Sequence, residues 1–409
     1  MGNVPREWEV VQLGQLYSER KEKGLARLPV MSVTLDRGLV PRRSLERRVE
    51  SELKPSEHAL AREGDLVYNM MRMWQGASGV ASVDCMVSPA YVVARPSERL
   101  LPAFAGYLLR APRIIRLLYS YSQGITRDRL RLYFENFAEV PIPLPPVPEQ
   151  RKIVAILSSL DDAIEETQKV IEQAKRVKQG LLQTLMTRGI GGHTQFKTTE
   201  IGKIPSSWAV KRLLDLTEKG FRNGYSPNSP NTPTGQWILS LGALSPDGLR
   251  VDERKPAPVD DAKVRDFLLE PGDFLISRAN TRERVGWSAV FRGQPGLYAF
   301  PDLMMQFRVK KEEILPEYLE AYLYSRSALR HVQGRAAGTS GSMVKIKQAV
   351  VRELPIALPP YCEQEQIAEA VNRVRVRLEV GQAAGAALSR TKRGLLQDLL
   401  TGRVRVPAD

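Results

Sequence analysis

The chain has 409 residues, 43% of them hydrophobic, a composition typical of a globular protein with more than one domain. Lysine and arginine outnumber aspartate and glutamate by 60 to 46, which gives a formal net charge of +14. This basic balance favours a polyanionic partner, because each phosphate that is neutralised releases condensed counterions. The sequence has no run of 18 apolar residues and no apolar core of a signal peptide near its start, so it predicts a cytoplasmic protein.

The cysteines and histidines predict no metal site. Cys85 and Cys362 are the two cysteines of the sequence, and they lie far apart along the chain. The three histidines, at 58, 193 and 331, are isolated from one another. No spacing typical of zinc ligands can be assembled from these residues.

The first predicted region, residues 1–148, has the pattern of a mixed α/β domain. Short apolar runs at 65–68 and 90–93 indicate strands, since each is bounded by glycine, proline or aspartate. A helical pattern follows at 104–109. Trp8, just inside this region, is predicted to be a core residue rather than a stacking platform.

The second predicted region, residues 149–190, is a long helix. Its apolar residues step alternately by three and four, which is the heptad pattern of a coiled-coil seam. The predicted seam residues are Leu157, Leu160, Ile164, Ile171, Leu181 and Leu185. Gly189 stands where a glycine commonly ends a helix.

The rest of the chain repeats this order. After a predicted linker at 191–204 come a second module at 205–361, with strands at 273–276 and 306–309 and a helix at 316–323, and a second long helix at 362–403. Residues 141–150 return as 355–364 with seven of ten positions identical, and 180–187 return as 394–401 with six of eight. The second seam keeps the same frame: Val371, Val374, Leu378, Leu388, Leu395 and Leu399. A repeat of this length predicts a duplicated unit.

The short linker favours antiparallel long helices. About 37 residues of helix span roughly 55 Å, and a parallel pair would require the 191–204 segment to be almost fully stretched. The predicted fold class is therefore α+β, with two mixed α/β domains separated by two long helices that form an antiparallel coiled coil with pseudo-two-fold symmetry.

Three motifs carry a resemblance to a known family. Pro-Pro-x-x-Glu-Gln occurs at 145–150 and 359–364, Pro-x-x-Trp-x-Val-x-x-Leu opens each module at Pro5 and Pro205, and a Gly-Asp pair precedes a strand at 64–65 and 272–273. With the heptad helices, the chain resembles the specificity subunit of Type I restriction-modification enzymes. The resemblance implies two target-recognition domains that bind the two halves of a split sequence in double-stranded DNA. It also implies docking of methyltransferase and restriction/translocase subunits, with no cofactor of its own, so that S-adenosylmethionine, ATP and Mg²⁺ would belong to the partners.

Polar side chains able to form paired hydrogen bonds with base edges follow each Gly-Asp strand. In the first module these candidates are Asn69, Arg72, Trp74 and Gln75, and in the second they are Arg278, Asn280, Arg282 and Arg284. Alternating cations form a second set of candidates: Arg127, Arg129 and Arg131, and Lys345 and Lys347. On an extended segment this spacing points every cation to one face, where they form a stripe along DNA phosphates or a solvated strand edge.

Two other functions remain open from the sequence. Pro246-Asp247, together with Glu253-Arg-Lys255 or Asp261-Ala-Lys263, fits a loose pattern of a self-contained Mg²⁺-dependent restriction endonuclease. A coiled-coil adaptor that binds RNA would have the same charge. Leu358-Pro-Pro-Tyr361 looks like an adenine methyltransferase motif, but its leucine lacks the polar side chain that such a motif needs, so no catalytic residue is predicted.

Overall fold

The computed structural model describes residues 4–45, 53–126, 129–338 and 343–406. The chain divides into two compact units, of which the first combines Met1–Gln168 with Ala383–Asp409 and the second is Lys169–Gln382. Each unit therefore contains one predicted module and about one half of each long helix. Each also has its own hydrophobic core.

The first module is built from short strands and three short helices. Its strands are β1 (Glu9–Gln12), β2 (Tyr17–Glu19), β3 (Met31–Val33), β4 (Leu39–Pro41), β5 (Ala59–Ala61), β6 (Leu66–Asn69), β7 (Ser78–Val80), β8 (Cys85–Val87), β9 (Tyr91–Pro96) and β10 (Pro141–Leu144). Its helices are α1 (Pro102–Leu108), α2 (Pro112–Ser120) and α3 (Phe134–Ala138), and the first long helix, α4 (Val147–Arg188), follows.

The central sheet of the first module is antiparallel, in the order β2-β9-β6-β7. Both of its faces are covered. Leu66 and Tyr68 of β6 pack into the core that contains α1 and α2 residues, whereas Val67 packs into a second cluster with residues of β5 and β8. This alternation follows from the two-residue period of a strand, and it confirms the strands expected at 65–68 and 90–93.

The second module has the corresponding elements after a short hairpin. Its strands are β11 (Phe196–Thr199), β12 (Gly202–Pro205), β13 (Ala209–Arg212), β14 (Thr217–Asn223), β15 (Trp237–Leu239), β16 (Leu244–Ser245), β17 (Gly248–Leu249), β18 (Arg254–Pro256), β19 (Phe274–Ser277), β20 (Ala279–Asn280), β21 (Ser288–Val290), β22 (Tyr298–Ala299), β23 (Met304–Val309), β24 (Val344–Lys345) and β25 (Pro355–Leu358). Its helices are α5 (Pro316–Tyr322), α6 (Arg326–Gly334) and α7 (Gln348–Arg352), and the second long helix is α8 (Tyr361–Leu399).

The central sheet of the second module has the order β14-β23-β19-β21, the counterpart of the first sheet. Phe274 and Ile276 of β19 pack into the main core, and Leu275 packs on the other face. The segment 191–204, expected to be a linker, contains the antiparallel hairpin β11-β12. Its turn places Gly202 at a φ of 110°, a conformation that favours glycine.

Both long helices take part in each unit, and within each unit they run antiparallel. In the first unit Glu149 contacts Arg405 and Asp161 contacts Lys392. The contacted residue thus lies earlier in the sequence as the residue of α4 lies later, which is the order of an antiparallel pair. In the second unit Ile190 contacts Glu363, and Ile171 lies against Gly381 in the same falling order. Gly189 directly follows the last residue of α4 and has a φ of 68°, which confirms its expected capping position. Gly402, in the turn that follows α8, has a φ of 70°.

The burial pattern of the long helices follows the predicted heptad frame. Of the predicted seam residues, those that are buried are Leu157, Ile171, Leu185, Leu378 and Leu399. Those that are half-buried are Leu160, Ile164, Leu181, Val371, Val374, Leu388 and Leu395. Ile153 and Ile367 continue the same frame toward the start of each helix and are buried too. Leu182 and Met186 lie outside the frame and are buried because the end of the helix also packs on the module.

Candidate nucleic-acid interface

Each Gly-Asp pair sits in a tight turn closed by the aspartate side chain. Asp65 accepts a hydrogen bond from the backbone N of Arg62 at 2.8 Å, and Asp273 accepts one from the backbone N of Glu270 at 2.9 Å. The glycines before the two aspartates have φ values of 87° and 95°. β6 and β19 begin directly after these turns.

An arginine neutralises each of these buried aspartates. The Arg20 Nε lies 2.6 Å from Asp65, and an Arg308 guanidinium nitrogen lies 2.8 Å from Asp273. Asp65 and Asp273 are 1% and 0% exposed. A buried carboxylate of this kind requires an opposite charge, so the Gly-Asp motif has a structural role in both modules.

The first candidate loop begins at the end of β6. Asn69 Oδ1 accepts a hydrogen bond from the backbone N of Met71 at 3.0 Å. The Trp74 indole donates to the Met71 carbonyl at 3.0 Å and meets the Tyr119 ring edge-on at 6.0 Å between centroids. Trp74 therefore braces the loop. The remaining two candidates, Arg72 and Gln75, are exposed.

The second candidate loop begins at the end of β19. A guanidinium nitrogen of Arg278 donates to the Asp302 carbonyl at 3.3 Å, and Asn280 Oδ1 accepts from the backbone N of Thr281 at 2.9 Å. The other two candidates, Arg282 and Arg284, are exposed, and the Arg284 guanidinium lies 5.4 Å from the centroid of the adjacent Trp287 ring. The second loop thus presents more positive charge than the first.

The alternating cations that the structure describes are all exposed. Arg129 and Arg131 are exposed, and the leucines that alternate with them are buried. Lys345 and Lys347 are exposed, and the intervening Ile346 is buried. Arg127 lies outside the described residues.

Backbone hydrogen bonds join each cationic segment to the candidate loop of its own module. In the first module the Leu132 N donates to the Met70 carbonyl at 2.8 Å. In the second the Ile346 N donates to the Arg278 carbonyl at 2.9 Å, next to the β20-β24 pairing of Ala279 with Lys345. Residues about sixty positions apart in sequence thereby form one surface in each module, with cations beside polar loop side chains.

The repeated Glu-Gln pair anchors the start of each long helix, a role that the sequence did not disclose. The Trp8 indole donates to Glu149 at 2.8 Å, and the Trp208 indole donates to Glu363 at 2.9 Å. Trp8 and Trp208 are 5% and 0% exposed, which confirms them as core residues. Each carboxylate lies in the first turn of its helix, where the helix dipole stabilises negative charge.

The second partner of the carboxylate differs between the units. Glu149 also binds Arg405, at 2.9 Å to Nε and 3.0 Å to a terminal guanidinium nitrogen. Glu363 binds His193 Nε2 at 2.8 Å and the Ile190 backbone N at 2.9 Å. Burial acts to raise the pKa of Glu149, but hydrogen bonds from Arg405 and Trp8 outweigh that effect and lower the pKa.

The glutamine of each pair joins the long helix to the start of a module helix. Gln150 Oε1 accepts from the backbone N of Leu101 at 2.9 Å, and its amide nitrogen donates to the Pro145 carbonyl at 2.9 Å. Gln364 makes the equivalent bonds, to the Leu315 backbone N at 2.8 Å and to the carbonyl of the preceding Pro-Pro segment at 3.1 Å. Leu101 and Leu315 immediately precede α1 and α5.

The carboxylates of the nuclease pattern have local structural partners. Asp247 pairs with Lys178 at 3.0 Å, Asp261 accepts from the Tyr225 hydroxyl at 2.8 Å, and Glu253 lies 3.2 Å from an Arg250 nitrogen. Within the described parts of the chain, no three histidine, cysteine or acidic side chains are grouped as metal ligands. Helices that are both long enough and apolar enough to cross a bilayer are likewise absent from those parts.

Comparison with known families finds similarity to restriction-modification proteins. The model of the family described as Type I restriction modification DNA specificity domain matches residues 5–176. The chain is similar to the type I restriction enzyme MjaVIII specificity subunit of Methanocaldococcus jannaschii, with 25% identity over 418 residues covering 98% of the chain and 94% of the relative. The putative MjaX specificity subunit of the same organism is 25% identical over 324 residues, covering 76% of the chain and 70% of the relative.

The fold agrees with two solved structures. One chain, from a study of complex assembly and conformational transition of the type I R-M system, superposes with a TM-score of 0.58 and 18% identity, covering 99% of this chain and all of that one. The Type-I restriction-modification system S subunit from M. genitalium superposes with a TM-score of 0.55 and 14% identity, covering 100% of this chain and 98% of that one.

Proposed function

We infer, for a chain that belongs to the family of type I restriction-modification specificity subunits, that each of its two modules binds its own half of a split DNA sequence. The chain is the recognition subunit of such a system and functions with DNA and with other subunits. The DNA contacts are assigned to a surface that occurs once in each module, where backbone hydrogen bonds join a cationic segment to a polar loop.

The two parts of this surface have different tasks. Arg131, Lys345 and Lys347 are exposed on extended backbone, and Arg129 is exposed in a short 3-10 turn close to Arg131. Such a group of charges suits phosphates, whose contacts position a protein without reading sequence. The loop side chains after β6 and β19 carry the donors and acceptors that base edges require. Since the loops differ in sequence, the two half-sites are expected to differ too.

We propose that methyltransferase subunits and restriction/translocase subunits dock on this chain and perform the chemistry. S-adenosylmethionine, ATP and Mg²⁺ would then bind to those subunits. The proposed self-contained endonuclease finds no support, because Asp247 is held by Lys178 in a hairpin turn. Incubation of the purified chain with plasmid and Mg²⁺ is expected to leave the plasmid uncut. Cleavage would instead support the endonuclease alternative.

The function is tested by mapping methylated adenines in cells with and without this chain, in the presence of the methyltransferase subunit. We expect methylation at a two-part motif with a gap of fixed length, which disappears without the chain. A continuous motif, or methylation that persists without the chain, would contradict the proposal. Binding to RNA in preference to duplex DNA would favour the RNA adaptor.

The base-reading role is tested with a matched pair of variants. Arg72→Ala should relax discrimination in the half-site of the first module, and Arg278→Ala should do so in the other. Each change should lower the preference for cognate over mismatched DNA by about 1–3 kcal/mol. Titration of duplexes with a mismatch in either half-site measures this, and equal loss on cognate and random DNA would remove the residue from the base-reading set.

The phosphate role predicts a different signature. Lys345→Ala with Lys347→Ala should weaken binding to all sequences alike and reduce the slope of log affinity against log salt by about 2. Arg129→Ala with Arg131→Ala provides the matched change in the first module. A loss confined to cognate DNA would instead assign these cations to base contacts.

A further inference from the structure

Ile125 is the side chain most exposed among the large hydrophobics of the described residues, at 100%. It lies in the loop between α2 and the cationic segment. Single exposed apolar side chains are common on proteins and need no function by themselves. The fixed position of Ile125 and the side chains around it, however, indicate a role in binding.

The loop that carries Ile125 is closed at its base by a pair of backbone hydrogen bonds. Gln123 N donates to the Arg131 carbonyl, and Arg131 N donates to the Gln123 carbonyl, both at 2.8 Å. One residue further on, the Leu132 N donates to the carbonyl of Met70, which belongs to the candidate loop after β6, here called the readout loop. Ile125 therefore projects from a fixed base that also carries Arg131.

Other exposed apolar side chains gather at this end of the first module. Met71 is 47% exposed in the readout loop, Tyr133 is 40% exposed just beyond the cationic segment, and Tyr119 is 41% exposed against Trp74. Exposed arginines stand close to two of these side chains, since Arg72 follows Met71 and Arg131 lies two residues before Tyr133. A positive surface interleaved with apolar side chains suits a nucleic acid, which offers both phosphates and the apolar surfaces of bases.

We propose that Ile125 is a specificity-determining residue that makes an apolar contact with a base of the half-site bound by the first module. The inference rests on the proposed function of that module. Arg129 and Arg131 hold the phosphates on either side of the contact, and the loop delivers the isoleucine to the groove. The chemistry that it recognises is the apolar surface of a base, offered by a thymine methyl group or by an opened step between stacked bases.

The second module supplies the test substitution. Its corresponding sequence, Ala337-Gly-Thr-Ser340, has threonine at 339, a position outside the described residues. Ile125→Thr keeps a β-branched side chain but replaces an apolar group with a hydroxyl, and Ile125→Val keeps the apolar character. Val83→Thr is the control. Val83 follows β7, is 48% exposed, and lies near the start of β6, whereas the readout loop lies at the end of β6.

Affinities of the full chain for cognate and random duplexes are measured for the four proteins. We expect Ile125→Thr to bind cognate DNA about tenfold more weakly, because the buried apolar contact is lost, with little change on random DNA. Ile125→Val and Val83→Thr should remain within about threefold of the wild type. Cognate affinity of Ile125→Thr equal to that of the wild type, or an equal loss on random DNA, would overturn the inference.

Two labelled duplexes identify the source of the apolar surface. If it is a thymine methyl group, deoxyuridine in the first half-site weakens the wild type but adds no further loss to Ile125→Thr. If it is an opened base step, 2-aminopurine fluorescence in that half-site rises on binding the wild type and not the variant. Either result supports the contact. A wild type that does not distinguish cognate from random DNA would instead defeat the proposed function itself.

Discussion

The starts of the two long helices share one design and differ in one partner. Glu149 and Glu363 each accept an indole hydrogen bond from a buried tryptophan, and each meets the segment that follows the other helix. In the first unit that segment supplies Arg405, whereas in the second it supplies His193 and a backbone N. Duplication has thus kept the carboxylate and the tryptophan, while the charge that meets the carboxylate has diverged.

The comparison shows that both helix starts have a carboxylate bonded to a tryptophan, while the additional partner of the carboxylate can vary. A buried carboxylate needs donors, and the first helical turn, the indole and a third group together provide them. A guanidinium offers several donors in a planar fork and always carries charge, but an imidazole offers one donor here and the backbone contributes another. The shared part of the design should therefore have the largest effect on stability, and the divergent part a smaller one.

The largest effect is expected from the tryptophans. Trp208→Ala should lower the free energy of unfolding of the second unit by about 3–5 kcal/mol, since a fully buried ring leaves a cavity. Trp8→Ala should act similarly on the first unit. Hydrogen-deuterium exchange of α5 and α1 peptides measures the two losses. Trp→Phe at each position keeps most of the packing and should lose less, so equal losses for Ala and Phe would refute the packing argument.

Removing the carboxylate charge should distinguish the two helix starts. Glu149→Gln leaves Arg405 without its buried counterion and should lower the stability of the first unit by about 1–3 kcal/mol. Glu363→Gln should have a smaller effect, because a glutamine oxygen can still accept hydrogen bonds from the His193 ring N–H and from the Ile190 N. Exchange rates of peptides from 5–16 and 205–216 compare the units, and a larger loss for Glu363→Gln would contradict this ranking.

Acid should erase the advantage of Glu149. Its pKa lies below the ordinary 4.5 in the folded chain, so ionised Glu149 contributes stability above that value, and the contribution is lost as the pH falls through the lowered pKa. The stability gap between the wild type and Glu149→Gln should therefore be present near neutral pH and close as the pH falls from 4.5 through the lowered pKa. Urea unfolding across this range measures the gap, and a gap that widened in acid would reverse the proposed sign.

Much of the fold was predictable because the hydrophobic residues of its helices and strands recur at regular intervals in the sequence. The heptads of Leu157 and Leu378 place these residues in the seam, and alternation around Leu66 and Phe274 places the central strands. Local periodicity survives in the fold because burial of one face is what produces it. The hairpin at 196–205 carried no such signal, since burial does not alternate along either of its strands.

The candidate site was predictable in its parts but not in their assembly. The sequence identified the cations around Arg131 and the polar loop after Asn69, yet only the hydrogen bond from Leu132 to Met70 shows that they adjoin. The bond between Arg405 and Glu149 joins residues 256 positions apart, and no local pattern encodes it. The Glu-Gln repeat was visible, but its role depends on a tryptophan and a module helix brought close by folding.

The smallest effect should come from the two lysines at equivalent seam positions. Lys392 pairs with Asp161 of the opposite long helix, whereas Lys178 pairs with Asp247 in the β16-β17 hairpin turn at 3.0 Å. Because both pairs are partly exposed, Lys392→Met and Lys178→Met should each change stability by about 1 kcal/mol or less. Their local effects should differ, since only Lys178→Met releases a module segment from the helix. Faster exchange of residues 244–249 in Lys178→Met, and not in Lys392→Met, is the expected result; equal exchange in both variants would show that the hairpin does not depend on its lysine.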